Sequence, residues 1–242
     1  MRDIGFSTGA LAFGDFRKAL TLLSAEPCPA VELSALRDVE LPTLMAAVDN
    51  LEISRYRYVS VHAPSKFRTM KEADIAKALL PCIDRGWPVI LHPDAIGDHG
   101  YWRDFGRLIC LENMDKRKAS GRTADELARH FDLLPEASLC LDLGHARQVD
   151  PTFGIARQIL RRYGNRLTQM HLSELDATCH HARLSMATVW AVREIASQIP
   201  DAPVILESVI PAGEISRELA MARACFEHPV SPRAVPNVAV VH

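Results

Sequence analysis

Seven residues able to bind a metal ion stand at or just beyond the ends of apolar runs in this 242-residue chain. His62 closes Tyr58-Val59-Ser60-Val61, His92 closes Pro88-Val89-Ile90-Leu91, and Glu112 closes Leu108-Ile109-Cys110-Leu111. His171 closes Leu167-Thr168-Gln169-Met170, and Glu207 closes Pro203-Val204-Ile205-Leu206. Asp142 closes Ser138-Leu139-Cys140-Leu141, and His145 follows it across Gly144, a glycine that frees the backbone between the carboxylate and the imidazole. Imidazole and carboxylate donors without a thiolate suit Zn(II), Mn(II), Fe(II) or Co(II). Carboxylates seldom end a buried strand without a partner, so their recurrence beside imidazoles points to metal binding, with a buried ion-pair network as the competing reading.

Residues this far apart in sequence share a site only if the fold gathers the ends of their runs. A closed parallel barrel does so, because the carboxyl ends of all its strands open on one face. The runs are continuously apolar, as in strands covered on both faces, and helix-like segments separate them. Two further strands are expected, Ile4 to Thr8 and Ala30 to Leu33; the second carries Glu32 and ends at Ser34. Helices are expected over about Asp15 to Ser24, Leu41 to Val48, Met70 to Ile83, a short stretch near Tyr101 to Phe105, and from Thr123 to about Leu134 behind a Thr123/Glu126 capping box. Further helices are expected over Phe153 to Tyr163, Ala187 to Gln198 and Ile215 to Phe226. The predicted fold is therefore a single (β/α)8 TIM barrel over residues 1–242, with 228–242 as a C-terminal tail. No glycine-rich dinucleotide fingerprint or P-loop competes with this reading.

The net charge of −2 argues against a strongly electrostatic partnership with nucleic acid or membrane. The sequence has no 18-residue apolar run and no signal-peptide pattern at Met1 to Phe6, so a soluble cytoplasmic protein is expected. The six cysteines form no CxxC pair, and Cys110 and Cys140 sit inside strands as small core residues, so no disulfides are expected. Basic residues follow several strands: Lys66, Arg68 and Lys71 after the third, Lys116, Arg117, Lys118 and Arg122 after the fifth, and Arg147 after the sixth. Lys66, Arg68, Lys116 and Arg147 are the candidates for holding a substrate phosphate, although charge runs are usually solvated surface. Phe67 and Trp102 are the candidates for stacking on a base or sugar. The partner expected is a phosphorylated small molecule or a nucleic acid.

The pieces "VILHP" at 89 to 93, "ICLEN" at 109 to 113, "LCLDLGH" at 139 to 145, "MHLSE" at 170 to 174 and "VILES" at 204 to 208 occur at barrel spacing. Together they resemble the xylose isomerase-like TIM-barrel superfamily, and within it the endonuclease IV family, over nearly the whole chain. The resemblance implies two or three divalent transition-metal ions, Zn, Mn or Fe. It assigns His62, His92 and Glu112 to one ion, and Glu112, Asp142, His171 and Glu207 to a second, with Glu112 bridging. His145 and His180 would hold a third; Thr178 stands where the family pattern has an Asp, and Asp176 is the carboxylate available in that loop.

The activity implied is phosphoester hydrolysis, in which two ions activate a water and hold a phosphate oxygen. A competing resemblance is to ketose epimerases and sugar isomerases. These use one ion on Glu112, Asp142, His171 and Glu207, with Glu112 and Glu207 exchanging protons with substrate carbons. Such enzymes have no evident use for both His62 and His92, which favours the hydrolase. Multinuclear iron oxidases that modify peptides share the ligand layout, and a metal-binding scaffold without turnover is the non-enzymatic alternative.

Overall fold

A computed structural model describes residues 2–227; the segment 228–242, expected as a tail, lies outside the described residues. Eight parallel strands close into a barrel: β1 (Ile4–Ser7), β2 (Ala30–Ser34), β3 (Tyr58–His62), β4 (Val89–Leu91), β5 (Ile109–Glu112), β6 (Ser138–Asp142), β7 (Leu167–Leu172) and β8 (Val204–Leu206). They follow one another around the barrel in chain order, and β8 closes it against β1 through Ile4↔Val204 and Phe6↔Leu206. This is the fold expected from the sequence.

The two-residue pleat of each strand sorts its side chains. Leu91, Leu111, Leu141 and Met170 join the main core between sheet and helices. Their neighbours Ile90, Cys110 and Cys140 form a separate small buried cluster. Two residues further along the same strands come His92, Glu112 and Asp142, so the pleat aims these one layer higher on the same side. In the β6–β7 ladder the register slips after Leu139↔Leu167, and the slip brings Asp142 opposite His171.

The helices are α1 (Thr8–Ala12), α2 (Phe16–Leu23), α3 (Leu41–Ala47), α4 (Glu72–Leu79), α5 (Pro81–Arg85), α6 (Ala124–Leu133), α7 (Leu143–Val149), α8 (Gly154–Tyr163), α9 (Met186–Ala196) and α10 (Ile215–Phe226). Besides the short helix α1, which takes up Thr8 from the expected first strand and was not expected, three details differ from expectation. The helix expected over Met70 to Ile83 is divided into α4 and α5, because Pro81 has no N–H to continue the ladder and instead opens a new helix. After β4 the connection is a 3-10 segment, His99–Leu108, anchored by buried Trp102 and Phe105. The third difference is α7, where no helix was expected: the Asp142 side chain accepts from the His145 N–H at 2.7 Å and caps it. All six cysteines are free and buried, in agreement with the sequence reading. Among the described residues no helix is long and apolar enough to cross a membrane.

Candidate metal centre

The strand ends meet at a cavity of about 560 Å³, lined among others by His62, His92, Glu112, His145, His181 and Glu207. Three overlapping groups of side chains each bring one donor atom apiece to within 4.8 Å of one another: His62, His92 and Glu112; His62, His171 and Glu207; and Glu112, Asp142, His171 and Glu207. Glu112 lies at the centre. Its Oε2 is 3.2 Å from Nε2 of both His62 and His92, while its Oε1 is 3.5 Å from His171 Nδ1 and 3.1 Å from His145 Nδ1.

Neighbouring groups set the orientation of the donors. The His62 Nδ1–H donates to the Ala63 carbonyl at 2.6 Å, so Nε2 is the nitrogen turned toward Glu112. His145 Nδ1–H donates to the Asn113 carbonyl at 3.0 Å. Asn113 also holds the ends of β5 and β6 together by hydrogen bonds to the Asp142 backbone. The close packing of α7 against the end of β7 needs Gly144, since a Cβ there would lie 2.8 Å from the Ser173 carbonyl oxygen.

The electrostatics are those of densely packed opposite charges. Burial works against the charged form of every member. For His62 this is overridden by the hydrogen bond and charge of Glu112 and by the charges of Glu32 and Glu207, raising it to about 9. For His145 the charge of Asp142 and the contact with Glu112 override burial and raise it to about 10. His92 goes the other way, lowered by burial that Glu112 only partly offsets. Burial also opposes ionisation of Glu112, yet the charges of His171 and His92 hold it well below the usual carboxylate range.

An ion-pair network alone would leave few polar atoms without partners. Here Glu112 Oε1, Asp142 Oδ2, His171 Nδ1 and Glu207 Oε2 are all buried and, although each lies 3.1–3.6 Å from another charged member of the cluster, none makes a hydrogen bond; His92 Nδ1 is likewise buried without one. The first four of these atoms come one from each residue of the four-membered group. A divalent cation fits this set, because carboxylate oxygens and imidazole nitrogens aimed at a common point are what it coordinates.

Not every expected residue joins the group. His180 is 76 % exposed, and its Nδ1 lies 2.8 Å from the Thr178 hydroxyl. Asp176 is occupied with the N–H groups of Thr178 and His180, so the loop turns both residues away from the mouth. Arg147 Nη1 lies 3.0 Å from Glu174 and 2.6 Å from the Thr188 hydroxyl, tying α7 to α9 rather than facing the cavity. Arg68 and Lys116 are exposed and do not line the cavity, whereas Lys66 does. Trp102 is buried and donates to Glu72 at 2.8 Å with Phe67 stacked beside it, so neither aromatic is a stacking surface at the mouth.

Sequence reasoning missed two residues. His181, next to His180, is brought inward by a two-residue antiparallel ribbon, Glu174–Leu175 with His181–Ala182. Its Nδ1 is 2.8 Å from Ser173 Oγ and 3.7 Å from Glu207 Oε2. Glu32 is fully buried in β2, with Oε2 2.9 Å from His171 Nε2. A glutamate in the middle of a buried strand was the available signal for Glu32. For His181 there was none, since adjacent histidines in a loop do not reveal which one faces inward.

No protein-family profile matches this sequence, and no curated protein matches it. Solved structures do match in shape. Endonuclease IV from Thermus thermophilus superposes with a TM-score of 0.60 at 19 % identity, over 93 % of this chain and 99 % of that one. The apo form of 3-keto-D-glucoside 4-epimerase from E. coli gives 0.59 at 14 % identity, over 93 % and 100 %. A xylose isomerase-like TIM barrel protein from Mycobacterium smegmatis, solved in complex with magnesium, gives 0.55 at 14 %, over 93 % and 97 %. At these identities the likeness is one of fold, that of a closed parallel (β/α)8 barrel.

Proposed function

We propose that the protein is a metal-dependent hydrolase of a phosphoester carried by a small molecule, working with two divalent transition-metal ions. The observation that carries this reading is the set of buried, unpartnered donor atoms on Glu112, Asp142, His171 and Glu207, with His62 and His92 converging on the other oxygen of Glu112. His62, His92 and Glu112 would hold one ion, and Glu112, Asp142, His171 and Glu207 the other, with Glu112 shared. Bound there, two such ions supply Lewis acidity toward a phosphoryl oxygen and ease deprotonation of an attacking water. The protein's own part is to fix the donors by buried hydrogen bonds and to orient the phosphate through Lys66. Among the described residues lining the cavity, Lys66 is the cation without an ion pair, since Lys118 is paired with Asp94 and Arg117 with Asp115.

The same features favour a small substrate over nucleic acid. The cavity is of small-ligand size, and its rim includes the exposed apolar side chains of Phe13, Leu36 and Val209. Nucleic acid is ordinarily gripped through many phosphate contacts, and one unpaired lysine does not supply them.

A second reading is supported by the four-membered group alone: a one-ion isomerase or epimerase in which Glu112 and Glu207 move protons at substrate carbons. The deciding experiment assays the metal-loaded protein, with Glu112→Gln as control, on simple phosphomonoesters, phosphodiesters and abasic-site DNA beside a panel of ketoses. Phosphoester cleavage lost in the variant supports the hydrolase. Ketose epimerisation without phosphoester cleavage reverses the order of the two readings.

A further inference from the structure

We infer that Glu32 is a positioning residue that presents Nδ1 of His171 to the metal centre, held in place by a buried polar chain running through Gln169 to Tyr58. The inference rests on reading the mouth as a metal centre. Glu32 belongs to β2 and His171 to β7, so their contact crosses the barrel interior. Both are fully buried, and Glu32 Oε2 accepts the His171 Nε2–H at 2.9 Å. The same oxygen accepts from Gln169 Nε2 at 2.7 Å, and Gln169 Oε1 in turn accepts from the Tyr58 hydroxyl at 2.8 Å. Gln169 and His171 lie on one face of β7; their side-chain nitrogens stand 2.7 Å apart, and both converge on the single anionic acceptor Glu32 Oε2.

This arrangement leaves the imidazole one productive orientation. If the ring turned over, a carbon would face Glu32 Oε2 and the carboxylate would lose its imidazole donor. That is a heavy penalty for a buried anion whose Oε1 already has no partner. With Nε2–H committed downward, Nδ1 faces the mouth, 3.5 Å from Glu112 Oε1 and 3.6 Å from Glu207 Oε2, itself buried and unpartnered. An anionic carboxylate behind the ring also makes the opposite nitrogen a stronger ligand, and outer partners of this kind typically change metal affinity by about 10–100-fold. The mouth already holds Glu112, Asp142 and Glu207, and a further carboxylate that reaches only the back of one imidazole has no role in ligating an ion directly.

The test uses the full chain and reads metal binding and tautomer, not turnover. Nitrogen-15 NMR of the zinc-loaded protein is expected to show His171 protonated at Nε2 and bound through Nδ1. Competition with a chromophoric chelator is expected to show zinc held about 10-fold more weakly in Glu32→Gln, which keeps an acceptor without the charge. In Glu32→Leu, which keeps neither, the weakening should reach about 10–100-fold. Circular dichroism confirms that the variants compared are folded; should Glu32→Leu not fold, Glu32→Gln and the wild-type tautomer decide. A purely structural Glu32 would lower stability without moving either readout in folded protein. Coordination through Nε2, or wild-type affinity in Glu32→Gln, overturns this inference alone. A chain that binds no divalent ion overturns both it and the proposed function.

Discussion

Asn113 and Asp142 grip each other through two buried hydrogen bonds: Asn113 Nδ2 donates to the Asp142 carbonyl at 2.9 Å, and the Asp142 N–H donates to Asn113 Oδ1 at 2.8 Å. The pair clamps the ends of β5 and β6 at the point where Glu112 and Asp142 leave them. Asn113→Ala would strand a buried N–H and a buried C=O together, so a loss of about 2–4 kcal/mol is expected. Denaturant unfolding of the metal-free protein measures it. A loss under about 0.5 kcal/mol would mean that water or a neighbour replaces the amide.

The central place of Glu112 makes its removal different from that of any other donor. Glu112→Gln takes an anionic ligand from the group of His62, His92 and Glu112 and from the four-membered group, so elemental analysis of the dialysed variant should find both of the proposed ions depleted. His180→Ala should leave the metal content unchanged, because that ring stands in solvent. Retention of one full equivalent in Glu112→Gln would show that the carboxylate is not shared.

Much of this was readable because a parallel barrel turns a one-dimensional pattern into a ring. Wherever an apolar run ended on His, Asp or Glu, the inward residue lay within one position of the strand end: His62, Glu112 and Asp142 close their strands, His171 stands one before the end of β7, and His92 and Glu207 stand one beyond β4 and β8. What the pattern did not carry was facing. Arg147 follows a strand end just as Lys66 does, but α7 rotates it onto Glu174 and Thr188, and α7 exists because of a capping bond from Asp142. In the same way the ribbon that turns His181 inward and His180 outward is a matter of cross-strand pairing at Glu174↔Ala182 and Leu175↔His181, which no local propensity encodes. Glu32 was visible as a residue, but its partner lies on a strand across the barrel.

The loop that carries Lys66 is anchored from below by Asp38. Its Oδ2 accepts the backbone N–H groups of Arg68 and Thr69, both at 2.6 Å, and of Met70 at 2.9 Å. These bonds, that of Met70 foremost, hold the carboxyl well below its usual range. Asp38→Ala is expected to destabilise the protein by about 1–3 kcal/mol and to weaken binding of inorganic phosphate at the mouth. Lys66→Ala should weaken phosphate binding by about 10-fold without changing stability, and Arg147→Ala should leave it unaltered. Calorimetric titration with phosphate separates the three. Equal losses in Lys66→Ala and Arg147→Ala would point to a general charge effect instead of a phosphate contact.

Outside the cavity lining, His130 on α6 gives the fold a pH dependence of its own. The ring is buried, and its Nδ1 lies 3.0 Å from His99 Nε2 on the 3-10 segment after β4. Burial, followed by the nearby positive groups His99 and Arg129, lowers His130 to about 4, with only Asp94 acting in the other direction. The unfolded chain takes up this proton near pH 6.5, whereas the folded protein resists it until about pH 4. The unfolded state therefore binds more protons between those values. The stability due to neutral His130 is complete above about pH 6.5 and is lost progressively as the pH falls toward 4. With allowance for the ring's place near the solvent boundary, the loss amounts to about 1–2 kcal/mol. Urea unfolding of wild type and His130→Gln at pH 7.5, 6.0 and 4.5 reads it directly. The difference between the two proteins should shift in favour of the variant as the pH falls. A constant difference across the three pH values would show that His130 does not titrate differently on folding.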